Sequence, residues 1–296
     1  MSYLIRQMGH IALATPDPEG SAQDLAEISG PRIIARTSDL VTLSSNNRRH
    51  EVGYFKSSRK AALAIGLEAI NAEAVGEVRR RAMDHGCKIL SERSYFPNIE
   101  KALRFLTPEG PIFEVHTPVP RDQNARYVGH GVHPVRLEHV NVRVENAKAF
   151  GGLCEAVFGM RLSDRTTNDE LQWLRAADGF HHTLAIGTGE AKLHHYGFDA
   201  RCFEDLAKVA DTLALKSRTM LWGPGRHGAG DNIFTYYADP NGCVVENSIE
   251  MERIDCDDVY APRTWSLGPE SRVRNLWGPL EGPEYRAAGI PFALEP

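Results

Sequence analysis

Three side chains in the later half of the chain, His139, His195 and Glu246, could meet at one divalent ion. Two imidazoles and one carboxylate hold one face of an octahedral ion and leave the other face open, an arrangement suited to bringing a substrate and O2 together on non-haem Fe(II). A lone histidine on an amphipathic strand is ordinarily a hydrogen-bonded core residue. A glutamate after two valines, as in Val244-Val245-Glu246, is costly to bury without a cation or another partner. Histidine is also unusually clustered: there are 12, including the neighbouring pairs His181-His182 and His194-His195.

What lifts the triad above chance is that the chain repeats itself, because a repeat fixes the strands on which such residues must sit. Gly9-His10-Ile11-Ala12-Leu13 matches Glu138-His139-Val140-Asn141-Val142, each an alternating strand followed by a helix. Leu63-Ala64-Ile65-Gly66-Leu67 matches His194-His195-Tyr196-Gly197-Phe198, and Pro108-Glu109-Gly110 leading to Glu114 matches Pro240-Asn241-Gly242 leading to Glu246. The anchors 10, 64 and 114 are 54 and 50 residues apart, and 139, 195 and 246 are 56 and 51 apart. The middle anchor differs: copy one has Ala64 where copy two has His195, so only the second copy offers all three ligands from three strands. Alternation selects His195 over His194 and sends His194 to the opposite face.

Helix signals fit the same layout. Asn146 caps a stripe from Phe150 to Phe158 that Gly159 closes, Asn71 and Gly86 bracket a helix over 72–85, and another runs from Phe203 to Leu215. Ser21 is the expected cap of a shorter helix around Leu25 and Ile28. The resulting class is α+β, with a first repeat over 1–120, a linker over 121–134 and a second repeat over 135–254. The proline-rich remainder, 255–296, reads as an irregular extension wrapping the second half.

At 296 residues the chain has room for two cores, and 42% hydrophobic and 25% charged residues describe a globular protein. The net charge of −5, without a long basic run, argues against nucleic-acid or anionic-membrane partners and for a small molecule. No apolar run approaches the ~18 residues of a membrane span. Five scattered cysteines without a C-x-x-C suggest neither disulfides nor a thiolate zinc site, which suits the cytoplasm.

The second half, over about 135–250, resembles the catalytic domain of the type I extradiol ring-cleavage dioxygenases of the vicinal oxygen chelate superfamily. The resemblance is carried by Glu138-His139-Val140, His181-His182-Thr183-Leu184, Leu193-His194-His195-Tyr196-Gly197-Phe198, Gly225-Arg226-His227-Gly228 and Tyr236-Tyr237-Ala238-Asp239-Pro240-Asn241-Gly242 with Glu246. It implies two tandem domains of paired βαβββ modules, each an open mixed β-barrel with outer helices, the first without catalytic function. It implies His139, His195 and Glu246 as ligands of Fe(II), with Mn(II) as the other candidate, and His182, Tyr236 and His227 as the catalytic residues that also bind substrate. A catechol and O2 would meet at the metal. His182 would move the proton, Tyr236 would hydrogen-bond a substrate oxygen, and His227 would border the ring. The product would be a hydroxymuconic semialdehyde or the matching ketone, formed in aromatic catabolism. Family habit adds a homo-oligomer.

The first half departs from the pattern at Ala64 and at Arg104, which replaces the tyrosine, so it is expected to be metal-free with His50 structural. His85, His116, His130 and His133 are assigned no chemistry. Trp173, Leu174, Phe180 and residues near Ile233 are the expected pocket walls, with Trp173 and Phe180 on the substrate. Two other readings use the same fold: a glyoxalase-type lyase or isomerase with another metal, and a non-catalytic aromatic- or antibiotic-binding protein.

Overall fold

A computed structural model describes residues 2–127, 131–268 and 271–296. His130, which the sequence places in the linker, lies outside them. The first half runs β1 (Ile5–Thr15), α1 (Pro18–Ile28), β2 (Arg32–Arg36), β3 (Leu40–Ser44), β4 (Val52–Lys56), β5 (Ala61–Ala69), α2 (Ala72–Asp84), β6 (Lys88–Ser91), β7 (Ala102–Leu106) and β8 (Ile112–His116). The second repeats that order: β9 (Arg136–Val144), α3 (Ala147–Phe158), β10 (Arg161–Thr166), β11 (Leu171–Arg175), β12 (Leu184–Thr188), β13 (Lys192–Asp199), α4 (Phe203–Leu215), β14 (Trp222–Arg226), β15 (Ile233–Ala238) and β16 (Val244–Ile249). The remainder adds β17 (Arg263–Trp265) and α5 (Pro283–Ala287).

Each half is one mixed sheet of two βαβββ modules, ordered β2-β3-β4-β1-β5-β8-β7-β6 in the first and β14-β15-β16-β13-β9-β12-β11-β10-β17 in the second. Read backwards, the second order is the first with β17 added at the edge. Trp222 on β14 and Trp173 on β11 stand near opposite ends of this order yet line one cavity, so the sheet curls into an open barrel. The apolar alternation is spent between the halves: Ile11, Leu13 and Ile65 belong to the same contiguous core as Val140, Val142 and Phe150. Phe113 packs edge-on against Phe158 with ring centroids 5.1 Å apart.

Asn71 and Asn146 cap their helices by accepting from the amides of Ala74 and Ala149, and Gly159 takes the left-handed closing conformation at φ 65°. Helix α1 differs from expectation. Pro18, with its φ already fixed for a helix, starts it one turn earlier, so Asp17 is the cap and Ser21 lies inside. The chain beyond Ile254 also differs, for it does not stay on the second half. Ala62 of β5 donates to Pro291 O at 2.8 Å and accepts from the Ala293 amide at 2.9 Å. Among the described residues no helix is long and apolar enough to cross a membrane.

A buried ion pair ties the halves together. Arg48 donates to Glu51 at 2.5 Å, both side chains lie almost wholly out of solvent, and the Leu137 amide donates to the same carboxylate at 3.1 Å. Burial pushes the Glu51 carboxyl up, but Arg48 and two donors from Ser45 outweigh it and hold it below its ordinary value. Glu51→Ala strands the Arg48 charge and is expected to cost ~3–5 kcal/mol in chemical denaturation. Since the folded pKa is depressed, the carboxylate's stabilisation is present above the unfolded value of about 4.3 and fades as pH falls through the folded one. The variant should therefore lose less stability than wild type on acidification.

Candidate active site

The strand register brings the three ligand candidates together. His139 on β9 pairs with Gly197 on β13, Gly197 pairs with Glu246 on β16, and His195 lies two positions before Gly197. Gly197 is required there because a Cβ would stand 2.4 Å from the His139 ring. The same holds in the first half, where a Cβ on Gly66 would stand 2.3 Å from the His10 ring. Nε2 of His139 lies 2.8 Å, and Nε2 of His195 3.5 Å, from Oε2 of Glu246, with all three side chains buried. Ligands at about 2.1 Å from one ion and at right angles stand ~3 Å apart, so the donor set fits a divalent metal. Among the described residues this is the one cluster of histidine, cysteine and carboxylate atoms close enough to hold an ion.

Each ligand is held from behind, and the hydrogen bonds set its tautomer. His139 offers Nδ1 to Glu138 at 3.1 Å, and Glu138 in turn accepts from Ser248 at 2.7 Å. Asn232 donates to Oε1 of Glu246 at 3.0 Å, which leaves Oε2 facing the histidines. His194 does not turn to the opposite face, because β13 slips register against β9 between Leu193 and His195 and the bulge overrides simple alternation. His194 instead donates from Nε2 to Tyr285 O at 2.8 Å and accepts at Nδ1 from Nδ1 of His195, also at 2.8 Å. The lone pair of His195 is thereby left on Nε2. Burial would depress the His139 pKa, but the carboxylates of Glu246 and Glu138 outweigh it and raise it to about 10.

His182, just before β12, stacks edge-on against His139 with centroids 4.6 Å apart. Its Nδ1 lies 3.0 Å from Nδ1 of His181, whose Nε2 faces Oδ2 of Asp164 at 3.2 Å. Asp164 is fixed by Arg263 at 2.9 Å and by the Trp265 indole at 2.8 Å, both from β17. The chain of contacts places protons on Nε2 of His181 and Nδ1 of His182, and the free lone pair of His182 on Nε2. Burial, then the neighbouring His139 and His181, pushes the His182 pKa well below its usual value, so the ring is neutral. The Tyr236 phenol, raised by burial and then by Glu246, stays protonated and donates to Nε2 of His227 at 2.9 Å. His227 donates from Nδ1 to Arg274 O at 2.5 Å.

The ligands, His182, His227, Tyr236 and Trp173 line one cavity. Phe180 does not. Its ring lies between Arg136 and Arg253, whose guanidinium carbons are 3.4 and 4.3 Å from the ring centre, because those cations offer a closer partner than the cavity does. Leu174 is buried in the shared core, and Ile233 packs with Ala200, Leu206 and Ile249. The walls that sequence reasoning missed are Asn141 and Arg143 on β9, Leu171, Ala185 and Trp222 on β11, β12 and β14, and Val273, Arg274, Glu281 and Tyr285 from the C-terminal extension. Asn141 and Arg143 follow His139 at intervals of two on one strand, a signal that was readable. The extension has no periodicity and offered none.

In the first half the equivalent place is filled by protein. Nε2 of His10 lies 3.2 Å from Glu114, Arg104 approaches the same carboxylate at 3.6 Å, and Ser94 donates to it at 2.5 Å. Ala64 supplies no ligand, and His50 stacks on Phe96 with centroids 4.1 Å apart.

No family model matches the chain. It is 26% identical over 305 residues to metapyrocatechase 2 of Cupriavidus necator, covering 96% of this chain and 92% of that protein. It is 25% identical to the manganese-dependent 2,3-dihydroxybiphenyl 1,2-dioxygenase of Geobacillus genomosp. 3, over 81% and 83% of the two chains. Homoprotocatechuate 2,3-dioxygenase from Arthrobacter globiformis superposes with a TM-score of 0.90 at 18% identity, over 99% of this chain and 94% of that one, and shares the fold. A Mn(II)-bound glyoxalase from Novosphingobium aromaticivorans superposes with a TM-score of 0.87 at 25% identity, over 96% and 94%. In its repeat, its fold and its sequence the chain is thus similar to the extradiol dioxygenases of the vicinal oxygen chelate superfamily.

Proposed function

We infer that the protein cleaves the ring of a catechol next to its diol, inserting both atoms of O2 to give a hydroxymuconic semialdehyde-type product in aromatic catabolism. The observation that carries this reading is the buried His139, His195 and Glu246 triad beside a neutral His182 in one cavity. We assign the three as ligands of Fe(II), the ion for which two histidines and a carboxylate with open positions are diagnostic; Mn(II) suits the same donors. When bound, the ion would hold the diol and O2 together and let charge pass between them.

The chain's own residues manage protons and water. Nε2 of His182, whose other nitrogen is committed to His181, takes a hydroxyl proton from the diol and returns it later in the reaction. Tyr236, whose one phenolic proton goes to Nε2 of His227 here, would turn that proton to a substrate oxygen as the oxygen arrives. Trp173 borders the ring. Tyr285 and Arg274, from the extension, close the cavity so that these bonds form out of bulk water. The catalytic unit is the second repeat, 135–254, completed by 255–296, and the first repeat, 1–120, is its non-catalytic partner. A cytoplasmic homo-oligomer accords with the free thiols and with the exposed Trp277 and Leu280.

The glyoxalase likeness keeps a lyase or isomerase reading in view, and O2 separates the two. Protein loaded anaerobically with Fe(II), then given catechol and air, is expected to consume one O2 per ring and turn yellow. Turnover of a hemithioacetal without O2 uptake, and no ring cleavage with either Fe(II) or Mn(II), would overturn the proposal.

A further inference from the structure

Arg143 lies four residues after His139 on β9, on the same face as His139 and Asn141, and all three line the catalytic cavity. At about 3.3 Å per residue the two Cα atoms are ~13 Å apart, more than a single aromatic ring spans. The guanidinium has a prepared seat. Gly187 on β12 pairs directly with Arg143, and a Cβ there would stand 2.0 Å from Nη1, so the side chain lies across a strand that has been cleared for it.

No side chain pairs directly with that seat's cation among the described residues. Among the described residues no hydrogen bond or ion pair is made by the Arg143 guanidinium. The cavity's other arginine, Arg274, is bonded to Glu281, and that carboxylate also accepts from Arg286 at 3.1 Å. Glu246 belongs to the metal ligands. Burial pushes the Arg143 pKa below its ordinary value, and Tyr285 and Glu281 offset it in part. Arg143, Leu171 and Arg274 also border a second, outer hollow lined by Glu170 and Thr188, so Arg143 stands where the catalytic cavity meets the outside.

We propose that Arg143 receives an anionic substituent of the catechol, so that the preferred substrate carries a carboxylate on the ring or on a short side arm directed away from the diol. A carboxylate matches the planar fork of a guanidinium, and a partly desolvated arginine without a counter-ion gains most from acquiring one. Neutral catechols would reach the metal but leave that cation unpaired. The proposal rests on the extradiol reading and adds its substrate class.

The test compares metal-loaded wild type with Arg143→Met and Arg143→Lys on 3,4-dihydroxybenzoate and 3,4-dihydroxyphenylacetate against 4-methylcatechol and 4-ethylcatechol. Wild type is expected to prefer the anionic member of each pair by about 10²-fold in kcat/KM, with Arg143→Met collapsing the ratio and Arg143→Lys keeping part of it. The ratio is internal to each preparation, so a partly unfolded variant does not distort it. Anaerobic calorimetry should show the same loss in affinity for the anionic catechols without turnover. Cleavage of neutral catechols with equal or greater kcat/KM, and a ratio untouched by Arg143→Met, would overturn the proposal and leave ring cleavage standing. Failure to cleave any catechol would overturn both.

Discussion

Glu246→Ala is expected to remove metal binding and ring cleavage together. The two histidines that remain ligate only as neutral imidazoles, so a divalent ion would lose its only anionic protein ligand inside a buried site, where uncompensated charge is most costly. Loss of a mere supporting partner costs about 10- to 100-fold in metal affinity, and loss of the ligand itself should exceed that range. Metal analysis after gel filtration and O2 uptake should fall in parallel. A second readout follows from His139, held protonated up to about pH 10 by Glu246 and Glu138. The incoming ion must displace that proton, so affinity should rise with pH below about 10, with one proton released per ion at neutral pH. In the metal-free protein the sign is opposite. A histidine pKa raised above the unfolded value of about 6.5 gives stability that is complete below that pH and lost as pH climbs through about 10. Stoichiometric metal in Glu246→Ala would remove Glu246 from the ligand set, and binding without proton release in wild type would remove His139.

How much of this was legible in the sequence depends on what fixed each residue. His139, His195 and Glu246 could be read because a sheet of fixed register forces equivalent anchors in both repeats to equal spacing. Gly66 and Gly197 were legible as a match, though only the structure gives the reason, which is the histidine ring each one underlies. His194 was misplaced because a bulge is invisible to simple alternation, and the slip turns an idle neighbour into the group that orients His195. Asn232 sits in the β14–β15 loop, which differs in length from the β6–β7 loop at the same place in the first repeat. Tyr285, Arg274 and β17 come from a segment whose prolines erase periodicity, so its return over the cavity depends on tertiary contacts alone. Phe180 failed for another reason: aromatic character predicts burial near something, and two arginines were the nearer partners.

His182→Ala should separate chemistry from metal binding, which the ligand variants cannot do. The ring touches His139 but is not among the three mutually close donors, so the ion should stay at wild-type stoichiometry. What disappears is the one neutral base outside the ligand set whose lone pair the surrounding hydrogen bonds direct into the cavity. Removing a positioned general acid–base group costs about 10²- to 10⁴-fold, and the loss should fall on kcat, because the substrate is still bound by the metal and the cavity walls. Asp164→Asn tests the same idea from two residues away. It weakens the hold on the His181 proton, frees His182 to adopt the other tautomer, and loosens Arg263 and Trp265. The expected loss is smaller, about 10- to 100-fold, with metal content and substrate affinity kept and the acidic limb of the kcat profile displaced. A purely structural role for Asp164 would lower thermal stability and leave that limb in place. Full turnover by His182→Ala would assign the proton transfer to Tyr236 and His227 instead, since they are the other proton-carrying pair bordering the metal ligands.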